Sequence, residues 1–208
     1  MTAPSEAGVE AVLAFWFGDV DALGLIRPER RQALFRADPA FDISIRAQFG
    51  ADVEAALLGE RDHWGTTARG RVALILLLDQ FTRNIYRGEA RAYGGDEQAL
   101  QIAREGVENG DHLLLGVDMR AFAYLPFEHA ESMADQDTCV ALLENLASEH
   151  ADGSPAAAVV QDYLHHAREH RELIARFGRF PHRNAVLGRT DTEAEAAWRQ
   201  RDRRSFGQ

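Results

Sequence analysis

The sequence predicts an all-α fold built as a stack of about eight helices. Three observations carry that expectation. Apolar residues recur every three to four positions along nearly the whole chain. No stretch shows the strict apolar–polar alternation of a half-buried strand flanked by turn residues. Capping and stopping residues bracket the periodic segments at helical lengths, and short loops between such helices favour antiparallel neighbours.

Ser5 is placed to cap a first helix that runs to about Phe17 and stops at Gly18, with Val9, Val12, Leu13 and Trp16 at helical spacing. A second helix follows Asp38-Pro39 and puts Phe41, Ile45, Phe49, Val53 and Leu57 on one face before Gly59. The third, about Thr67 to Arg83, is apolar on almost every side from Val72 to Leu78, which marks the centre of the stack. Asp96 to Asn109 makes a fourth, closed by Gly110. Asp118 is the expected cap of a fifth that meets Pro126. A sixth covers Asp137 to Ala147 with Val140, Leu143 and Leu146 inward. A seventh spans Pro155 to Phe177, and an eighth starts near Thr192, whose spacing to Glu195 matches a capping box.

A chain of 208 residues, 46% of them hydrophobic, supports one sizeable core, so residues 1–208 are expected to form a single domain. The longest apolar run, Val72 to Leu78, is far short of a membrane span. The first residues carry Glu6 and Glu10 where an export signal would be basic. Cys139 is the lone cysteine, so neither an internal disulfide nor a thiolate metal cluster is expected, and a reducing cytoplasm fits best. The net charge of −10 argues against a nucleic-acid partner. The charge is uneven: residues 1–167 hold 13 arginines against 27 acids, whereas 168–208 hold 10 against 6. There is no lysine, so every permanent side-chain cation is a guanidinium that can grip a carboxylate or phosphate with two parallel hydrogen bonds.

Three segments hold polar residues that call for an account. In Leu78-Asp79-Gln80-Phe81-Thr82-Arg83-Asn84, the carboxylate of Asp79 and the guanidinium of Arg83 are four residues apart on the most buried helix and can pair. The pair is structural or functional; Arg83 has more donors than one carboxylate uses. Asn84 is expected to take a left-handed cap conformation that frees its amide. In Leu125-Pro126-Phe127-Glu128-His129-Ala130-Glu131, the side chains of Glu128, His129 and Glu131 could supply acid–base groups, or be an ordinary solvated face. The spacing of His166 and His170 suits a metal, but no third ligand follows, so neither metal nor cofactor is expected; His170 falls in the apolar stripe of its helix. The run Arg176 to Asn184 then presents Arg179, His182, Arg183 and Asn184 between aromatic residues. It reads as an anion clamp, or else its arginines cap carbonyls and pair with acids of the negative portion.

Together these segments resemble the mostly bacterial family called domain of unknown function 924, whose usual pattern reads DQFPRN, then LPFMHSE, then FGRFPHRN. The resemblance extends from Phe15-Trp16-Phe17-Gly18 to Leu187-Gly188-Arg189 and the Thr192 helix, essentially the whole chain. It implies a tetratricopeptide-like helical fold and carries motif positions onto Asp79, Gln80, Arg83, Asn84, Pro126, His129, Glu131, Gln136, His170, Arg179, His182, Arg183 and Asn184. The chain departs from the pattern at Thr82, where proline is usual, at Glu128, where methionine is usual, and at Ala130, where serine is usual. Alanine has no hydroxyl to activate, so a serine nucleophile at that position is ruled out.

The leading functional expectation is a binding protein. Asp79, Arg83, Asn84, His129, Glu131, His170, Arg179, His182, Arg183 and Asn184 would line one groove for a small anionic ligand or an acidic peptide end. The alternatives are a metal-independent acid–base enzyme, a hydrolase or lyase using His129, His182 or Glu131, and a structural scaffold. No membrane partner is expected, and self-association into a homo-oligomer is left open.

Overall fold

The structure, a computed structural model, describes residues 4–34 and 38–201, with side chains from Glu6 onward. Among the described residues the regular structure is helical, and the only β feature is an isolated bridge between Val20 and Ile26. The α-helical segments are α1 (Pro4–Phe17), α2 (Pro28–Leu34), α3 (Pro39–Leu57), α4 (Ala68–Ile75), α5 (Thr82–Ile85), α6 (Asp96–Glu108), α7 (Val117–His129), α8 (Met133–Ser148), α9 (Pro155–Phe177) and α10 (Glu193–Arg201). A π-helical turn, Leu76–Phe81, joins α4 to α5 as one rod. The fold is all-α. Lengths from 4 to 23 residues and the π insertion give no uniform helix pair, so the tetratricopeptide-like arrangement stays an implication of the resemblance.

Local chemistry starts and stops these helices much as the sequence suggests. Asp38 accepts the Ala40 N–H at 2.9 Å with Pro39 at the first helical position, Thr67 accepts from Gly70, and Ser154 accepts from Ala157. The side chain of Ser5 lies outside the described residues. The sequence reading places no helix at α2, and two boundaries differ from expectation. α8 begins at Met133, not Asp137, because Ser132 supplies its cap. α7 takes no side-chain cap from Asp118, which is fully buried. Its carboxylate accepts the Ile26 N–H at 2.6 Å and the Tyr163 hydroxyl at 2.7 Å, and pairs with Arg31. That carboxylate ties the 19–34 segment to α7 and α9. The seam is close: a Cβ on Gly24, whose φ is +78°, would sit 2.6 Å from Gly116 Cα.

One apolar core runs from Val9 in α1 to Ala167 in α9. Trp16 packs on Phe41, Phe81 and Phe122, with Phe15 filling in against Phe41, Phe49 and Phe81. α7 lies at its centre, with twelve of its thirteen residues buried, and it runs through Pro126 to His129. A smaller cluster of Leu173, Ile174, Phe180 and Trp198 docks α10 against the end of α9. There Thr192 and Glu195 form the expected capping box, each accepting the other's backbone N–H.

Candidate functional site

The π turn sits where the first motif begins. Such turns are frequently found at functional sites, since the extra residue re-aims the side chains that follow. Asp79 leaves this turn fully buried, and its carboxylate is held on both oxygens. Oδ2 accepts from the Gln80 amide at 2.6 Å; Oδ1 lies 2.7 Å from His129 Nδ1 and 3.4 Å from the Arg83 guanidinium. Burial pushes this carboxyl up, but His129 and Arg83 outweigh it and hold it well below the usual range. An ionised Asp79 is an acceptor only, so His129 Nδ1 carries the proton and donates it. The ring's Nε2 is then the nitrogen left for solvent or a bound molecule.

His129 lines a cavity of about 1500 Å³. Its inner wall also includes Gln80, Arg83, Asn84, Leu125 and Glu128, and α9 contributes Tyr163, His166, Glu169 and His170. The opposite side is built by the 19–34 segment, including Asp19, Asp21, Ile26 and Arg31. That segment carries no motif, and nothing in its sequence announced a role in the site.

Next to His129, Glu128 is buried, with Oε1 3.1 Å from His170 Nδ1 and Oε2 without a partner among the described residues. Burial, then the charges of Asp79 and Glu169, push its carboxyl up to about 8. Burial, then His129, push His170 well below the ordinary histidine range. Both partners are driven toward their neutral forms, so the contact is not an ion pair; His170 Nδ1 donates instead to the His166 carbonyl at 2.9 Å.

The arginines of the expected clamp are engaged elsewhere. Arg83 donates to Asp96 through both terminal nitrogens, at 2.6 and 2.9 Å, and to the Ala92 carbonyl at 2.5 Å. Arg183 donates to the same Asp96 at 3.3 Å and stacks over Tyr93 and Phe180. Burial, then repulsion from Arg83, lower its pKa to about 10. Arg179 grips Glu195 with two hydrogen bonds of 2.7 and 2.8 Å, which holds that carboxyl down at about 2. Asn184 donates to Asp191. His182 is forced down to about 3 by burial, then by Arg183.

The three motifs therefore meet, but not around one opening. Asp79, Arg83 and His129 are linked, and Arg183 joins Arg83 through Asp96. Glu131, at the end of the second motif, accepts the Phe180 N–H at 2.8 Å and pairs with Arg189, clasping the third motif. Yet Glu131, Arg179, His182, Arg183 and Asn184 are not among the residues that line the cavity, whereas Arg83, Asn84, His129 and His170 are. Asn84 is helical in α5, not a left-handed cap, and its amide is taken by Asp42 at 2.7 Å. Gln136 serves the backbone, donating to the carbonyls of Glu128 and Ala130 at the C-terminal end of α7. Sequence reasoning missed Asp96 as the shared partner of two arginines, because its acidity and helix-start position already had a local explanation.

Residues 12–202 match the model of a family described as bacterial protein of unknown function (DUF924). The chain belongs to this family. It is also similar to a solved structure, the protein of unknown function ATU0120 from Agrobacterium tumefaciens, at 36% identity and a TM-score of 0.77. The likeness covers 94% of this chain and 98% of that one. No functionally curated protein matches. Among the described residues of this DUF924 member, no helix is long and apolar enough to cross a membrane, and no group of His, Cys, Asp and Glu is arranged to hold a metal.

Proposed function

We propose that the protein is a metal-independent acid–base enzyme acting on a small polar molecule in the cavity between α7, α9 and the 19–34 segment. The observation that carries this is the Asp79–His129 contact at 2.7 Å, with the carboxylate buried behind the ring and the ring lining the cavity. A buried ionised acceptor fixes the imidazole's tautomer and orientation, which is what a general base requires. His129 is the catalytic residue in this reading and Asp79 the positioning residue, itself steadied by Gln80 and Arg83. Among the described residues, the cavity lining holds no Ser, Thr, Cys or Lys, so proton transfer fits it better than attack by one of those nucleophiles.

A second reading, a binder for a small anion, is favoured by four arginines among the described lining residues, Arg27, Arg31, Arg83 and Arg87. Each already faces a carboxylate, of Asp19, Asp118, Asp96 and Asp42 respectively. That compensation weakens the attraction for an anion. An acidic peptide end is disfavoured further by Asp19, Asp21, Glu29 and Asp162 on the exposed side of the cavity.

The test is incubation of the purified full chain with a defined mixture of small carboxylates, phosphoesters and carbonyl compounds, followed by NMR over time and by native mass spectrometry. The enzyme reading expects one component to be converted, with the rate reduced at least about a hundredfold in His129→Gln. Saturable binding without conversion would select the anion binder. Conversion that is indifferent to His129→Gln would sink the acid–base reading.

A further inference from the structure

The cavity is longer than a small polar group at His129 would fill. α9 lines it from Pro155 to His170, and at 1.5 Å per residue that face measures about 22 Å. Its chemistry changes along that length. His170, whose ring lies 6.2 Å from that of His129 between centroids, marks the polar end, with Glu169 and His166 beside it. Two turns further back the same face presents Tyr163, then Val159 and Pro155. The 19–34 segment is fixed opposite this half, because Asp118 holds both the Tyr163 hydroxyl and the Ile26 N–H. It adds Pro28 and Val20, the latter 40% exposed and bridged to Ile26. Val20, Pro28 and Pro155 are exposed and Val159 is half-buried. Apolar surface left open in a concave site favours an apolar group that covers it.

We propose that this half of the cavity binds the hydrocarbon tail of an uncharged single-chain amphiphile. The tail site stands on the lining alone; that the polar head reaches His129 rests on the enzyme reading. Charge selects the class. Asp19, Asp21, Glu29 and Asp162 line the cavity around the apolar stretch, so a carboxylate or phosphate head, or an anionic lipid surface, would meet like charge there. A second copy of this chain, with its net charge of −10, would do the same. A cationic head placed at the polar end would lie beside Arg83 and Arg87. A neutral head meets neither penalty. From Tyr163 to Pro155 is about 12 Å along α9, which an extended chain of about ten carbons spans at roughly 1.2 Å per bond.

The probe is a series of straight-chain primary alkanols, from hexanol to decanol, titrated calorimetrically into the full chain. One molecule is expected to bind per chain, with a negative heat-capacity change and an affinity that rises about two- to fourfold for each added methylene, the usual worth of burying it. Val20→Asn, at an exposed position, and Val159→Gln should each weaken decanol binding about fivefold, whereas His129→Gln should leave it within about twofold. Decanoate and decylammonium should each bind at least about threefold more weakly than decanol at low salt. An increment below about 1.5-fold per methylene, uptake that does not saturate, decanol binding indifferent to both valine variants, or either charged probe binding as tightly as decanol overturns the proposal. Conversion in the mixture assay that depends on His129, without decanol binding, removes the tail site and leaves the enzyme reading; decanol binding without any conversion leaves the tail site and removes the enzyme reading.

Discussion

Two polar regions of this molecule contain the same kinds of residue and behave in opposite ways. The cluster around Asp96 gathers Arg83, Arg183 and Tyr93, and nearby Glu131 binds Arg189 and the Phe180 N–H; its carboxylates face guanidiniums. The cavity wall gathers Glu128, His129 and His170, with Asp79 buried behind it, and the His129 ring reaches the opening. A network whose carboxylates are matched by guanidiniums rigidifies a fold, even where single donors such as Arg183 Nε and Arg189 Nε stay unpartnered among the described residues. A network that ends on a ring lining a cavity is where a substrate can complete the set. A motif residue is therefore functional or structural according to whether it reaches the cavity, not according to its type.

That contrast can be broken first at Asp96. Asp96→Asn leaves two buried guanidiniums without their shared charge, and is expected to cost about 3–5 kcal/mol of stability, read by denaturant unfolding. A loss under about 1 kcal/mol would mean the arginine cluster is not the structural clasp described.

The cavity wall makes a pH signature of opposite kind. Glu128 has a folded pKa of about 8 against an ordinary value of 4.5, so across that interval the folded state holds a proton that the unfolded state has lost, and stability falls as pH rises. His170 and His182 are depressed, so their contribution has the opposite sign and is complete once pH exceeds the ordinary 6.5. Between about pH 6.5 and 8 Glu128 should therefore dominate, with a decline of up to about 1.4 kcal/mol per pH unit that Glu128→Gln removes. Unfolding curves across that window check it, and identical slopes in both proteins would place Glu128's ionisation elsewhere.

Arg183→Gln sharpens the comparison within the clasp. The guanidinium is buried and repelled by Arg83, and its loss leaves Asp96 still gripped by Arg83. The expected cost is about 1 kcal/mol or less, mainly lost stacking on Tyr93 and Phe180. A loss as large as that of Asp96→Asn would show that the two arginines are equal partners. The smallest effect is expected from exhaustive chelation, which should leave the melting temperature unchanged; one tightly bound zinc or iron per chain by elemental analysis would contradict it.

The amino-acid sequence by itself determined most of the helices, though not α2, and several of their ends. Asp38, Thr67, Ser154, Gly178 and the Thr192–Glu195 pair act within four residues of where they sit, so their chemistry is legible from spacing alone. It also named His129 and Asp79 and placed both motifs on helices. The tertiary structure alone decided which polar groups neutralise one another. Asp96 reaches Arg183 across 87 positions, and Asp118 reaches Ile26 across 92. The capping role expected of Asp118 and the free amide expected of Asn84 both gave way to such distant partners. The physical reason is that an unsatisfied charge costs little in water and several kcal/mol in a core, so the fate of each arginine and carboxylate is set by burial, which the local pattern does not encode.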